Sequence, residues 1–393
     1  MNQPAPTRNP SAALGLQGFD HQPQTRVVFG EDTLERIGEL ARDLGGKRVL
    51  FVTDKGIVAA GHPARAVGFL EAAGLHVTIY DDVRENPTTL DVERCVAVAR
   101  EADSDLIIGL GGGSSMDTAK GCNFILTNGG QMKDYWGVGK ATRPMLPMIA
   151  VPTTAGTGSE CQSFALISDE QTHQKMACGD PKAAAKIAIL DPLLTVSQPP
   201  RVTSCTGIDA LAHAVETAVT KKRTPLSAMY SHEAFRLCMG GIERVLRDPQ
   251  DIEARGMMQL GAAFAGTAIE NSMLGAAHAA ANPLTARYGI VHGQAVGLLL
   301  PAVIAFNARD PVAHQRYHEL AAEADLGPIE ELIAELEIML DLAKMRDGLA
   351  KFGIDQAAFP ELAKEAAQQW TAGFNPRAIT ADDFEELYAE VLG

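Results

Sequence analysis

The sequence predicts an α/β N-terminal half built on a parallel sheet with flanking helices, followed by an all-α C-terminal half. Three observations carry this reading. Between residues 26 and 191, short apolar β-rich runs alternate with segments of helical period, the pattern of βαβ units. After "LLTVSQPPRVT" the period is helical to the end of the chain, with no convincing strand. A chain of 393 residues also exceeds one ordinary hydrophobic core, so two domains are expected. Pro199 and Pro200 mark the change of texture, which gives a flexible tail over residues 1–24, an α/β domain over 25–198 and a helical domain over 199–393.

The elements follow in order. The tail is rich in Pro, Gln and Asn and offers little to bury. "KRVLFVTD" reads as a strand closed by Asp54, followed by apolar residues at helical spacing over residues 64–74 and by the strand "HVTIYDD". A helix over 90–102 leads to the strand "DLIIGLGGG", whose glycines run into a helix opened by Ser114, and "PMIAVPTT" is a further strand. Gly and Asp at the strand ends are the expected punctuation. In the second half, "ELIAELEIMLDLAKMRDGLAKFG" over residues 331–353 shows helical period. There is no internal repeat.

Composition narrows the partners. Apolar residues make up 46% of the chain, as in soluble globular proteins. With 49 acidic against 34 basic residues the net charge is −15, which repels phosphate backbones and anionic lipid and argues against nucleic acid or a membrane as partner. No window holds 18 apolar residues, and the N-terminus lacks the apolar core of a secretion signal. The cysteines Cys95, Cys122, Cys161, Cys178, Cys205 and Cys238 are scattered without a CxxC pair. They read as reduced thiols, so a cytoplasmic location is expected.

The strongest local motif in the first half is "DLIIGLGGGSSMDTAK", residues 105–120. A strand runs into Gly111, Gly112 and Gly113, and Ser114 and Ser115 open the next helix. Glycines admit an anion close to the backbone, and the free amides and dipole at a helix start favour phosphate or pyrophosphate. A plain tight turn is the alternative. Met116 stands where the last glycine of GxGxxG would be, so the dinucleotide fingerprint is not complete. A second loop, "VPTTAGTGSE", offers Thr153, Thr154, Thr157 and Ser159 at another strand end. Ligands in open α/β sheets sit where strand carboxyl ends meet, so both loops point to one crevice. Asp54 either accepts bonds from an adenosine ribose, which would favour NAD over NADP, or caps the next helix. It precedes the glycine loop instead of following it by about 20 residues, an order that disfavours an ordinary dinucleotide fold.

In the second half, "GIDALAHAVE" places Asp209 and His213 one helical turn apart. At i and i+4 their side chains stand about 5–6 Å apart on one face, close enough for a shared metal or for a simple surface hydrogen bond. "GAAHAAANPLTARYGIVHGQ" adds His278 and His292 among small apolar residues. A histidine in such surroundings needs a backbone partner or a metal for its ring nitrogens. Three imidazoles and one carboxylate make a four-ligand set suited to Fe2+, Zn2+ or Mn2+. His314 and His318 share the i, i+4 spacing on a polar helix and are left out.

These motifs together make the chain resemble the iron-containing (group III) alcohol dehydrogenase family, from "RVVFG" to "NPRAITADDFEELY". The glycine loop at residues 111–120, "PTTAGTGSE" at 152–160 and the G-x-D-A-x-x-H helix at 207–213 stand in the family's order. The resemblance implies metal ligation by Asp209, His213, His278 and His292, with His278 and His292 serving catalysis through the metal. It implies NAD contacts from Asp54, Asn86, Gly112, Gly113, Ser114, Ser115, Asp117, Thr153, Thr154, Phe164 and Lys175, with Leu194 beside the nicotinamide. It further implies Fe2+ as the metal, acting as a Lewis acid on the oxygen of a small primary alcohol or diol, hydride transfer to NAD, and a homodimer or larger homo-oligomer.

One position departs from the pattern. Lactaldehyde-reductase-like members carry a histidine four residues after the third ligand, where this chain has Asn282. An amide exchanges no proton near neutral pH, which puts a relay at that position in doubt. Two other readings stand beside the dehydrogenase: a metal- and NAD-dependent sugar-phosphate lyase or cyclase of the dehydroquinate-synthase type, which needs a cationic cluster for its anionic substrate, and a catalytically silent nucleotide-binding protein. A metal-free maleylacetate-reductase-like enzyme is disfavoured by the full ligand set.

Overall fold

The structure is a computed structural model and describes residues 18–172 and 174–393. Residues 1–17 of the expected flexible tail lie outside the described residues. The strands are β1 (Arg26–Phe29), β2 (Arg48–Val52), β3 (His76–Tyr80), β4 (Leu106–Gly111), β5 (Gly137–Val138), β6 (Met148–Pro152), β7 (Phe164–Ser168), β8 (Lys175–Gly179) and β9 (Ile187–Leu190). Between them run α1 (Ile37–Asp43), α2 (Lys55–Ala59), α3 (His62–Ala72), α4 (Thr89–Glu101) and α5 (Gly113–Asn128). The helical half holds α6 (Pro200–Val219), α7 (Pro225–Arg247), α8 (Ile252–Asn271), α9 (Ala276–Tyr288) and α10 (His292–Asn307). It closes with α11 (Pro311–Ala322), α12 (Ile329–Leu342), α13 (Phe359–Gln368) and α14 (Ala381–Glu390).

Six strands form one sheet in the order β1-β9-β6-β4-β2-β3, and every pairing in it is parallel. Helices on both faces bury both sides of such a sheet, so its strands read as continuous apolar runs. The pleat sends Leu50 and Val52 into the cluster on one face and Val49 and Phe51 into the cluster on the other. β5, β8 and β7 form a separate small sheet. Its strands, with β1 and β9, are too short and too mixed in pattern to stand out by period.

The strand order explains the position of Asp54. Setting the edge strand β1 aside, the chain lays β3 on one side of β2 and β4 on the other, then adds β6 and β9 outward. The topological switch point therefore falls between the carboxyl ends of β2 and β4, where a doubly wound sheet opens its ligand crevice. Asp54 follows β2 and Gly111 ends β4. In this winding an acidic residue ahead of the glycine loop belongs at the crevice.

The helical half is organised around α6. Pro200 occupies its first turn, where the missing N–H costs nothing, and residues from Thr203 to Val219 are buried apart from Thr206. A helix buried on all sides runs through the middle of a core. The segment 331–353 differs from a continuous helix. α12 stops at Leu342, Lys344 adopts φ 56°, and the amides of Lys344 and Met345 bond back to Asp341 and Leu340. This is a Schellman ending, closed by Met345 turning into the core.

The second loop docks on α8 through two glycines. Gly158 has φ +61°, and a Cβ on Gly266 would stand 2.8 Å from the Gly158 Cα. Gly266→Ala is expected to lower stability by about 1–3 kcal/mol, read as a lower urea midpoint at unchanged m-value. An unchanged midpoint would contradict this close approach.

Candidate active site

The first half of the site is built on three helices. α6 carries Asp209 and His213, α9 carries His278 in its first turn, and α10 begins at His292. Small residues let these helices meet: a Cβ on Gly293 would lie 3.3 Å from the Asp209 Cβ, and Ala276, Ala277 and Ala279 to Ala281 are fully buried. The Nε2 atoms of His213 and His278 lie 3.5 Å from Asp209 Oδ1, and that of His292 lies 3.9 Å away. Asp209, His278 and His292 present ligand atoms within 4.8 Å of one another, while the His213 ring stacks on His278 with centroids 4.8 Å apart. Asp209, His213 and His278 are all at least 95% buried, so the Asp209 and His213 pair is no surface hydrogen bond. His314 and His318 lie exposed on α11.

The electrostatics suit a cation. Burial would raise the Asp209 carboxyl, but the facing imidazoles hold it well below the usual carboxylate range. Burial lowers His213 and His292. It acts the same way on His278, where Glu216 and Asp209 outweigh it and raise the imidazole to about 9. Among the described residues, Asp209 Oδ1 and His278 Nε2 are buried without any hydrogen-bond partner. A buried carboxylate oxygen and a ring nitrogen facing each other at 3.5 Å, neither with a partner, are what a divalent metal between them would satisfy. Three nitrogens and one oxygen fit a first-row transition metal.

The outward ring nitrogens are held as well. His213 Nδ1 meets the Gly156 carbonyl at 3.2 Å, and His278 Nδ1 meets Glu216 Oε2 at 2.6 Å. Neither Glu216 nor Gly156 stood out in the sequence. The available signal for Glu216 was its place at i+7 from Asp209 and i+3 from His213, which is the same helical face.

The second half of the site lies at the switch point. Asp54 caps α2, accepting the Ile57 amide at 3.0 Å through Oδ1, and a Cβ on Gly111 would lie 3.5 Å from its Oδ2. The cap and the crevice position are thus both true of this carboxylate. α5 starts at Gly113 on a Gly112 N-cap with no side-chain cap, so Ser114 and Ser115 lie inside its first turn and the leading amides stay open. Gly112 packs on Thr154 and Gly113 on Thr157, which brings the two loops together. Among the described residues, the hydroxyls of Thr53, Ser115 and Thr153 are buried without partners.

The other residues named from the sequence spread around this crevice. Ser159 donates to Asp117 at 3.2 Å, and burial raises the Asp117 carboxyl to about 6. Lys175 Nζ lies 3.4 Å from Asn86 Oδ1. Phe164, at the start of β7, packs on Trp370 of the helical half with centroids 5.7 Å apart. Asn282 donates to Gln369 Oε1 at 3.1 Å, so its amide is engaged beside that tryptophan. Leu194 is fully buried in the sheet core and presents no surface to the crevice.

A nucleotide-type crevice beside a buried nitrogen and oxygen cluster is the arrangement of a metal- and nucleotide-dependent enzyme. Comparison with known proteins agrees. Residues 23–192 match the model of the family described as iron-containing alcohol dehydrogenase, and residues 203–392 match that of its C-terminal region. Alcohol dehydrogenase 4 of Schizosaccharomyces pombe is 34% identical, across 93% of this chain and 87% of that protein. NAD-dependent methanol dehydrogenase of Bacillus methanolicus is 32% identical, across 93% and 97%. A crystal structure of 1,3-propanediol oxidoreductase superposes with TM-score 0.91 at 30% identity, across 95% of this chain and all of that one. The chain belongs to the iron-containing alcohol dehydrogenase family, whose members pair an iron-type metal with NAD.

The second loop ends in a titratable group. Glu160 is buried, its Oε1 has no partner among the described residues, and burial raises its carboxyl from 4.5 to about 7. The folded state therefore holds a proton that the unfolded state has released between these values, so stability falls as pH rises through that window and is flat above it. The loss is about 3 kcal/mol. Glu160→Gln is expected to reduce the stability loss between pH 5 and 8 in urea titrations, leaving the part carried by the raised Asp117 carboxyl; an unreduced loss in the variant would contradict it.

Proposed function

We propose that the protein interconverts a small primary alcohol or diol and its aldehyde with NAD(H), using Fe2+ held by Asp209, His213, His278 and His292. The observation that carries this is the orphaned pair, Asp209 Oδ1 and His278 Nε2, buried beside the two glycine and threonine loops. A divalent metal held there supplies a Lewis acid that lowers the pKa of an alcohol at neutral pH. Asp209 brings one negative charge and the imidazoles bring none, so the cluster keeps net positive charge for an oxyanion. The open amides of α5 receive the pyrophosphate, and Asp54 Oδ2 faces the ribose and would repel a 2′-phosphate. The buried hydroxyls and apolar wall exclude water from the transferred hydride.

The substrate side is apolar. Phe164 and Trp370 meet across the two halves near Asn282, and Asn282, occupied by Gln369, is a pocket residue and not a proton relay. The lyase reading is not supported by the arginines of this stretch. Arg236, Arg244, Arg247 and Arg287 are paired with acidic side chains on exposed helix faces, and Arg255 is spent on the carbonyls of Pro249 and Thr195.

The same proposal includes a division near Pro199 and Pro200 into a cofactor domain and a metal domain, a cytoplasmic location and a homodimer. Free, buried cysteines suit a cytoplasmic location. Val27 and Phe29 are exposed on the edge strand β1, an open apolar edge of the kind a second copy covers.

The test is a panel of short primary alcohols, diols and hydroxy acids with NAD, on anaerobically prepared protein reloaded with Fe2+, Zn2+ or Mn2+. Alcohol-dependent NADH formation is expected, highest with Fe2+. His278→Ala is expected to lose turnover by at least a thousandfold, an order set by loss of Lewis-acid stabilisation, while binding NADH normally. Retained turnover in that variant would refute a metal-centred reaction, and no turnover with any metal would favour the silent protein.

A further inference from the structure

We infer that Glu216 is a positioning residue, which fixes the tautomer and aim of the His278 ring and thereby sets the metal affinity of the cluster. The inference rests on the proposed metal site. Glu216 lies on α6, one turn beyond His213, and is buried. Its carboxylate accepts the Gly275 amide at 3.1 Å, the Ala277 amide at 2.7 Å and His278 Nδ1 at 2.6 Å. Gly275 permits this approach, since a Cβ there would lie 3.1 Å from Glu216 Oε1.

The same anion therefore does two things. It satisfies open amides at the start of α9, where the helix dipole favours negative charge. It also faces the His278 ring with an acceptor that has no proton to give. A carboxylate can only accept, so Nδ1 carries the hydrogen, and Nε2, which faces Asp209 Oδ1 at 3.5 Å, is the nitrogen left to give its lone pair to a metal. That is the tautomer a metal ligand requires, and outer carboxylates of this kind orient ligating histidines and raise their basicity. The remaining amide, that of Ala276, goes to Asn375 Oδ1 at 3.3 Å. Asn375 thus shares the anchoring of the helix start with Glu216 but does not touch the ring.

The measurement is the Zn2+ dissociation constant of the full-length protein, by competition with a chromophoric chelator and without substrate or cofactor. Glu216→Gln is expected to weaken binding about 10- to 100-fold, because its amide offers N–H to Nδ1 and favours the tautomer with hydrogen on Nε2. Asn375→Ala loosens the same helix start without touching the ring and is expected to change affinity less than threefold. Equal weakening in both variants would assign the effect to helix anchoring and overturn the role of Glu216, as would unchanged affinity in Glu216→Gln. If Glu216→Gln fails to fold, histidine 15N spectra of the Zn2+-loaded wild type decide: hydrogen retained on Nδ1 of His278 supports the inference, and an Nδ1 without hydrogen overturns it. Wild-type protein that binds no Zn2+, Fe2+ or Mn2+ would overturn the metal reading and this inference together, whereas inactivity toward alcohols with intact binding would touch only the proposed reaction.

Discussion

One buried carboxylate oxygen constrains the helical half of this protein. Asp209 Oδ1 faces three imidazole nitrogens from three helices and has no hydrogen-bond partner among the described residues. A carboxylate is costly to bury unpaired, so the surrounding helices must bring donors to it or a cation must fill the gap. Close approach of those helices demands small side chains, and the alanine-rich faces of α6 and α9, with Gly293 at the start of α10, meet that demand. The low hydrophobic variety of this region is therefore a packing consequence of the site.

The sheet half answers a different constraint. Its crevice arises wherever a doubly wound sheet reverses direction, so the position of the glycine loop follows from strand order alone. What makes the crevice part of an enzyme is that the second loop serves both halves. Thr154 and Thr157 pack on the glycine loop, Gly156 holds the His213 ring, and Gly158 rests on α8. A single short segment thus ties the cofactor crevice to the metal cluster, and its small residues are needed at each of those contacts.

Much of this was legible in the chain. The βαβ alternation, the parallel sheet and the helical second half follow from period and punctuation, because those signals are local. Asp209 and His213 are legible as a pair because one helix carries both. His278 and His292 are recognisable by residue type and surroundings, but their convergence is not a local property, and neither is the partner of either ring. The hairpin strands β7 and β8 are hidden because their small sheet is half exposed and alternates weakly. The break after Leu342 is hidden because helical period continues through Lys344, and only the burial of Met345 forces the turn. Asp54 was ambiguous between cap and crevice because its two oxygens face different partners.

By itself, then, the sequence determined the residue types able to hold a metal, the loops able to receive a phosphate, and the order in which they occur. Only the tertiary structure decided that Asp209, His278 and His292 bring ligand atoms within 4.8 Å of one another with the His213 ring stacked beside them, that Leu194 lies inside the sheet core, that Asn282 is engaged by Gln369, and that Glu216 stands behind His278. The reason is physical: helical period and turn chemistry act over a few residues, whereas distances of a few ångströms between side chains far apart in the chain are set by how whole helices pack.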